Sequence, residues 1–334
     1  MLEPKATIII PNHNGMMYLP RLLESLARQT ERRHEVVVVD DTSRDESVAY
    51  LRGQWPSVRV LCNERNLGFA GTCNVGLRAA TTPIVVLLNN DTHVDGNWLH
   101  EGLLAFENED IAAAASLVLL ADPPHLIDTA GDEYSVVGGA MKRMHMQPRS
   151  AAENLDETCF SASGASAFYR REAVARVGYL EERFESYYED VDLGFRLAWA
   201  GYRCRFAPKS ICYHHLSSSY SPKGWTYHFN SARNAEIVWR ANMPESMQKR
   251  HGAARRLFLL IQGANKMRQG CFRAWRAGRK AAGTMGEMIS EKRAALPHAD
   301  AEAVTRIESL LVHDWWAFHV RSRFQQRAAG DPRG

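Results

Sequence analysis

Thr7-Ile8-Ile9-Ile10-Pro11-Asn12-His13-Asn14 decides how the rest of the chain reads. Four β-branched residues in a row, apolar on both sides of the pleat, describe a strand buried on both faces, as strands of parallel sheets are. The chain then turns polar at once. The same passage recurs where Val36–Val39 meets Asp40-Asp41-Thr42-Ser43, and where Ile84–Leu88 meets Asn89-Asn90-Asp91. In an open parallel sheet the carboxyl ends of the strands form the ligand crevice. Three strands that deliver Asn and Asp to one edge point to a nucleotide and a cation.

Outward from these clusters, short β-branched runs alternate with helical patterns over the first 120 residues, which predicts βαβ units. Strands are expected at Ala6–Ile10, Val36–Val39, Val58–Cys62, Ile84–Leu88 and Ala113–Leu119. Leu19, Leu22, Leu23 and Leu26 recur at helical spacing, as do Leu99, Leu103 and Phe106. The fold class is α/β, a Rossmann-like, mainly parallel sheet flanked by helices. Periodicity fails between Asp122 and Asp156, which reads as a loop or irregular hairpin excursion. Ser161–Tyr169 restores order, a helix follows from Arg171, and another carries Leu193, Leu197 and Ala200 up to Gly201. Arg203–Phe206 and Ile211–Tyr213 read as last short strands, and a helix with Ile237, Val238 and Trp239 closes the body. Pro244 marks a boundary between residues 1–244 and a helical extension over 245–334.

The 334 residues suffice for one large domain with such an extension, and 45% hydrophobic with 24% charged residues is ordinary for a globular protein. Six cysteines form no C-x-x-C pair, as expected of buried thiols in a reducing compartment. No basic stretch precedes an apolar core at the N-terminus, so no signal peptide is expected. The longest apolar run, Ile111–Ala121, is far short of a membrane span. The expectation is a cytoplasmic protein with no nucleic-acid partner. Its net charge of +3 is uneven: residues 245–334 hold 17 Lys/Arg against 8 Asp/Glu, and the rest of the chain is acidic. Leu257, Leu260, Ile261, Ala264, Met267, Cys271 and Trp275 form a stripe flanked by Arg255, Arg256, Lys266, Arg268, Arg273, Arg276, Arg279 and Lys280. Such a stripe suits an anionic membrane surface, packing on the body, or a homo-oligomer interface. A second helix is expected over Ala301–Gln325, with Trp315, Trp316 and Phe318 near its end.

Each polar cluster has a chemical and a bland reading. Asp40-Asp41 at a strand end could accept from the N3–H of uracil or thymine, or simply precede a helix N-terminus, with Ser43 or Asp45 as cap and the acids complementing its dipole. Asn89-Asn90-Asp91 could hold Mg²⁺ or Mn²⁺ through oxygen, or form an Asx turn. Glu189-Asp190-Val191-Asp192 crowds three acids beside Tyr187 and Tyr188; capping explains one or two, whereas crowding and desolvation raise pKa values and suit a general base. His214-His215 is a polar strand exit or the source of a second cation ligand beside Asp91. Asn66-Leu67-Gly68 opens a turn into a helix whose amides can cradle phosphate, though it matches neither G-x-G-x-x-G nor the Walker pattern.

Taken in order over about Thr7 to Pro244, these clusters resemble the family 2 inverting glycosyltransferases of GT-A fold. The matching pieces are Ile8–Asn14, Val37–Ser43, Asn66–Asn74, Leu87–Thr92, Ser163-Gly164-Ala165, Phe184–Leu193 and Tyr213-His214. The L-N-N-D-T and Y-Y-E-D-V-D-L forms look most like rhamnosyltransferase-type enzymes of bacterial surface polysaccharides. The resemblance implies that Pro11, Asn12 and His13 line the nucleoside and that Asp41 reads the base. Asn66, Gly68, Asn90 and Asp91 would lie at the ribose and diphosphate, joined by Arg233. Asp190 would be the general base with Glu189 beside it, and Asp91 with His214 would hold Mg²⁺ or Mn²⁺. Asn89 departs from the family pattern, standing where the first Asp of its D-x-D motif belongs, and His215 leaves the choice of His open. The implied donor is a dTDP- or UDP-sugar such as dTDP-rhamnose. The implied acceptor is a glycan or polyprenyl-diphosphate-linked sugar, met at the inner face of the membrane.

Two other classes compete. A sugar nucleotidyltransferase would share the sheet, but its phosphate loop should carry Arg or Lys, and Pro11–Tyr18 has neither. An inactive nucleotide-sugar or glycan-binding scaffold would explain Asn89. Donor-sugar hydrolysis with and without Mn²⁺ separates that from an active transferase.

Overall fold

A computed structural model describes residues 3–216, 224–297 and 300–319. The first half alternates as the periodicity predicts: β1 (Ala6–Asn12), α1 (Leu19–Ala27), β2 (His34–Asp40), α2 (Ser47–Gln54), β3 (Arg59–Cys62), α3 (Gly68–Ala79) and β4 (Ile84–Leu88). Then come β5 (Thr92–Val94), α4 (Trp98–Leu103), β6 (Ile111–Leu120), β7 (Ile127–Thr129), β8 (Asp132–Ser135), β9 (Ala140–Lys142), β10 (Thr158–Cys159), β11 (Ser166–Arg170) and α5 (Arg171–Val177). The chain continues with α6 (Glu189–Trp199), β12 (Arg203–His214), α7 (Trp225–Asn242), α8 (Glu245–Arg268), α9 (Phe272–Gly283), α10 (Gly286–Ala295), α11 (Ala301–Ser309) and β13 (Leu311–Val312).

Ten strands form one sheet in the order β10-β12-β6-β11-β4-β1-β2-β3, with β5 on β12 and β7 on β6. β1, β2, β3, β4, β6 and β12 run one way, and β5, β7, β10 and β11 run against them. The period of two sorts the side chains onto two cores. Ile9, Val37, Val39, Val85 and Leu87 face α3, α5 and α6; Ile8, Ile10, Val38, Val86 and Leu88 face α1, α2 and α4. Both faces are covered, which is why these strands read as unbroken apolar runs.

Three details differ from the periodicity. The two short strands expected near residues 203–213 are one strand, β12, whose pairing with β6 shifts register between Ala207 and Ile211. A bulge interrupts the alternation there without ending the strand. The stretch 122–156 contains β7, β8 and β9; β8 joins β9 and β13 in a small second sheet. These strands are three or four residues long, too short to print a period. The helix expected over Ala301–Gln325 is interrupted: α11 gives way to β13 at Leu311, helix resumes over residues 315–319, which include Trp315, Trp316 and Phe318, and residues beyond 319 lie outside the described ones.

The helices after Pro244 share a core with α6, α7 and the small sheet. Met247, Phe258, Met288, Ile289 and Ile307 pack with Tyr134, Phe195, Trp199, Ile237 and Val238. Gly270, at φ +74, divides α8 from α9. Arg255 and Phe258 lie on the buried face of α8, so the stripe of Leu257, Leu260, Ala264 and Met267 points outward. Arg255 pairs with Glu236 and lies 4.0 Å over the Trp239 ring. No helix among the described residues is long and apolar enough to cross a membrane.

Candidate active site

The strand ends converge as the first motif suggests. Asn12, at the end of β1, donates through Nδ2 to Asp40 Oδ1 (3.0 Å) and to Ser43 Oγ (3.2 Å), and accepts from Asn90 Nδ2 (3.0 Å). It is buried, so it ties three strand ends together and lies beneath the surface a nucleoside would meet. Asp40 also accepts from the Ser43 amide (2.9 Å), closing the turn after β2; α2 starts later, at Ser47, and Asp40 does not cap it. His13 is exposed, with Nδ1 2.6 Å from the Asp41 carbonyl oxygen. Pro11 is half-buried within β1.

Asp41 is buried and reaches across to the next turn. Its carboxylate accepts from Asn63 Nδ2 (2.9 Å) and from the amides of Leu67 (2.8 Å) and Gly68 (3.1 Å). Asn66 Oδ1 accepts from the same Gly68 amide at 3.1 Å. Gly68 has φ +70, and a Cβ there would lie 3.3 Å from the Glu185 carbonyl oxygen, so the turn needs glycine for conformation and for room. Asp41 thus anchors the N-terminus of α3 and sets where the 66–68 turn sits.

The loop after β4 places Asp91, only 5% exposed, with Oδ1 3.2 Å from His214 Nε2 at the end of β12. His214 Nδ1 lies 2.9 Å from Asp128 Oδ2. Asp128, on β7, is fully buried and also receives Lys142 Nζ at 2.6 and 2.8 Å, with His145 Nδ1 2.8 Å from its carbonyl oxygen. Burial works against a charged His214, but the two flanking carboxylates outweigh it and lift its pKa to about 9. His215 points elsewhere, its Nε2 3.2 Å from His93 Nδ1. Of the tandem pair, His214 is the one whose side chain meets the Asp91 carboxylate; the His215 amide donates to the Asp91 carbonyl (2.9 Å).

A divalent cation fits this arrangement on the chemistry of the donors. Asp91 offers a hard oxygen, and His214, 3.2 Å from it, an imidazole nitrogen oriented by a buried carboxylate. The described residues hold no cluster of three His, Cys, Asp or Glu suited to a metal. Water and diphosphate oxygens would complete the shell, as Mg²⁺ and Mn²⁺ sites on nucleotides allow.

Asp190 and Glu189 open α6. Asp190 is half-buried; Oδ2 accepts from the Gly164 amide (3.0 Å) and Oδ1 from the Val191 amide (2.8 Å). Burial raises its pKa, and these amides pull the other way. Glu189 is buried, and its Oε2 has no hydrogen-bond partner among the described residues. Burial and the Asp190 charge push it well above the carboxylate range. Asp132, on β8, is buried beside Ser161 (2.9 Å) and is raised by burial and by Asp190. Asp192 behaves oppositely: burial is overcome by Lys292 and Arg196, and its pKa falls to about 2. The crowding of acids therefore separates a structural carboxylate, Asp192, from Asp132, Glu189 and Asp190, whose pKa values burial raises.

Ser163-Gly164-Ala165 joins the two halves of the site. The Asn89 amide donates to the Ala165 carbonyl (3.1 Å), one residue from the Gly164 amide on Asp190. Arg233 is buried on α7 and faces the segment before α6: Nη2 donates to Phe184 O (2.9 Å) and Arg183 O (3.3 Å), and Nε to Asn234 Oδ1 (2.9 Å). Sequence reasoning missed Asn63, Asp128, Asp132, Lys142 and Asn234. Asp128, Asp132 and Lys142 fall in the 122–156 stretch that lacks periodicity, and Asn234 reads as an ordinary helix residue.

The profile described as Glycosyl transferase family 2 matches residues 7–178. The O-antigen biosynthesis protein RfbC of Myxococcus xanthus is 30% identical over 227 residues, 65% of this chain but 18% of that protein. An N-acetylglucosaminyl-diphospho-decaprenol L-rhamnosyltransferase of Mycobacterium tuberculosis is 30% identical over 226 residues, 60% of this chain and 73% of that one. Among solved structures, GalNAc-T7 with UDP, GalNAc and Mn²⁺ superposes with a TM-score of 0.60 at 15% identity, over 96% of this chain and 58% of its own. That likeness bears on the fold, and it is a GT-A one.

Proposed function

Because the chain belongs to glycosyl transferase family 2, we propose that it is an inverting transferase acting in bacterial surface-polysaccharide synthesis. It takes a sugar from a dTDP- or UDP-sugar, dTDP-rhamnose being the favoured donor, and places it on a hydroxyl of a glycan or lipid-linked acceptor. The rhamnose and the polyprenyl-linked acceptor are supported by the name of the mycobacterial relative. The observation that supports the mechanism is the chain of hydrogen bonds from the Asn89 amide, in the loop that carries Asp91, through Ala165 and Gly164 to Asp190.

Asp190 is the general base in this reading. The amides of Gly164 and Val191 fix its oxygens, and the residue is only partly buried. It removes that proton as the oxygen attacks the anomeric carbon opposite the leaving diphosphate. One in-line displacement inverts the configuration and needs no covalent enzyme intermediate. Asp91 and His214 would hold the cation, whose charge, when bound, neutralises the departing diphosphate. Asp41 and the 66–68 turn position the nucleoside end.

The acceptor reading extends to an anionic membrane surface. Leu257, Leu260 and Met267 are exposed on α8, and Arg256, Arg268, Arg273, Arg276 and Lys280 are exposed around them. Basic residues at such a leaflet contribute about 1 kcal/mol each. Transfer from dTDP-rhamnose, UDP-GlcNAc and GDP-mannose to a polyprenyl-diphosphate sugar, with product anomers assigned by NMR, tests the proposal. Retention of configuration, or transfer from GDP-mannose alone, would overturn it. Cosedimentation with anionic vesicles at low salt tests the membrane surface; retention by neutral vesicles only would remove it.

A further inference from the structure

Five residues before Asp190 the backbone makes a tight, strained turn. Glu185 sits at φ 62 and ψ −65, and the Ser186 amide donates to the Phe184 carbonyl at 2.7 Å. This is the positive-φ γ-turn, which is rare and strained. Tyr187 and Tyr188 follow at φ 73 and 72, so three non-glycine residues in four adopt left-handed backbone conformations. Strain of this kind persists only where the surroundings hold it.

The holding contacts come from α7. Asn234, fully buried, directs Nδ2 at three carbonyl oxygens of the turn: Phe184 (3.1 Å), Ser186 (3.1 Å) and Tyr187 (2.8 Å). Arg233 adds Nη2 to Phe184 O, and its Nε fixes the Asn234 amide by donating to Oδ1. The turn also touches the donor side, since the Ala70 amide donates to the Glu185 carbonyl at 3.0 Å. The Tyr188 carbonyl accepts from the Asp192 amide (2.9 Å), so the strained segment runs directly into the first turn of α6.

We infer that Asn234, oriented by Arg233, is a positioning residue that holds the 184–188 turn and thereby sets Asp190 against the donor turn at 66–70. The inference rests on the reading of Asp190 as base. Arg233 Nε and Nη2 and Asn234 Nδ2 are directed at one another and at backbone carbonyls of the turn. They act through backbone placement, in which a displacement near 1 Å can cost about 10²-fold in rate.

Asn234→Ala and a double variant with Glu185→Gly test this, because glycine adopts φ 62 without the steric cost a side chain carries. Three measurements are made on the full chain: kcat, donor Kd by calorimetry, and hydrogen exchange at the Ser186 and Ala70 amides. Asn234→Ala should lower kcat by about 10²-fold, leave donor Kd within about threefold, and speed exchange at both amides. Adding Glu185→Gly should return a substantial part of kcat, which a general loss of stability would not allow. Wild-type kcat in Asn234→Ala overturns the inference, as does a loss that the second substitution leaves unchanged. If the unsubstituted protein transfers no sugar, the functional reading fails and the inference with it. Normal wild-type turnover beside an unaffected Asn234→Ala variant removes the inference alone.

Discussion

Lys292, on α10, lies 2.9 Å from the carboxylate of Asp192, two residues beyond Asp190. The pair is buried, and Asp192 also receives Arg196 Nε and Asn242 Nδ2, each at 2.8 Å. A helix from the basic C-terminal segment thus pins the helix that carries the proposed base. Burial alone would raise Asp192, but Lys292 and Arg196 hold it at about 2 in the folded state, below the 3.8 of an unperturbed Asp. A depressed carboxylate stabilises the fold fully above its unfolded value, and that contribution is lost as pH falls from about 4 to about 2.

Lys292→Met should therefore destabilise the protein by about 3 kcal/mol at neutral pH, because it leaves a buried carboxylate short of one partner. The difference from wild type should narrow between pH 4 and pH 2. Urea melts over pH 2–7 would show it; a constant difference across that range would mean that Lys292 acts through packing.

Asp91→Ala and His214→Ala should each weaken Mn²⁺-dependent donor binding by about 10–100-fold, the scale of losing a ligand or its orienting partner. His215→Ala should do less, since His215 is turned toward His93. Asp128→Asn should resemble His214→Ala, because Asp128 orients the imidazole. Calorimetry with and without EDTA reports all four. Full donor affinity in EDTA would remove the cation from the account.

Asp41→Ala leaves the amides of Leu67 and Gly68 and the Asn63 side chain without their acceptor. The expected cost is about 1–3 kcal/mol in the binding of uracil or thymine nucleotides. Discrimination against GDP-sugars should fall with it. Competition binding of UDP, dTDP and GDP measures both; equal weakening of all three would assign Asp41 to the loop alone.

The sheet was legible because its strands are buried on both faces, so Ile8–Ile10, Val36–Val39 and Ile84–Leu88 stand out as apolar runs with polar ends. Those ends also exposed Asn12, Asp41 and Asp91. Asp128 was hidden because β7 is three residues long and the Asp128 carboxylate is satisfied by Lys142 and His214, partners on other strands. The burial of Arg255, which the spacing sets among the cations flanking the α8 stripe, was illegible for a related reason. Arg255 is buried because Glu236, on another helix, pairs with it, while Leu257 and Leu260 remain outside. Helical spacing locates a stripe, and only its partners decide which stripe is buried.

The most direct test of the account is Asp190→Asn, measured for turnover and for donor binding. The amide side chain keeps the size of the carboxylate but cannot take the acceptor proton. Turnover should fall by about 10²–10⁴-fold, the usual contribution of a general base, while donor Kd stays near wild type. Wild-type turnover in Asp190→Asn would contradict the account.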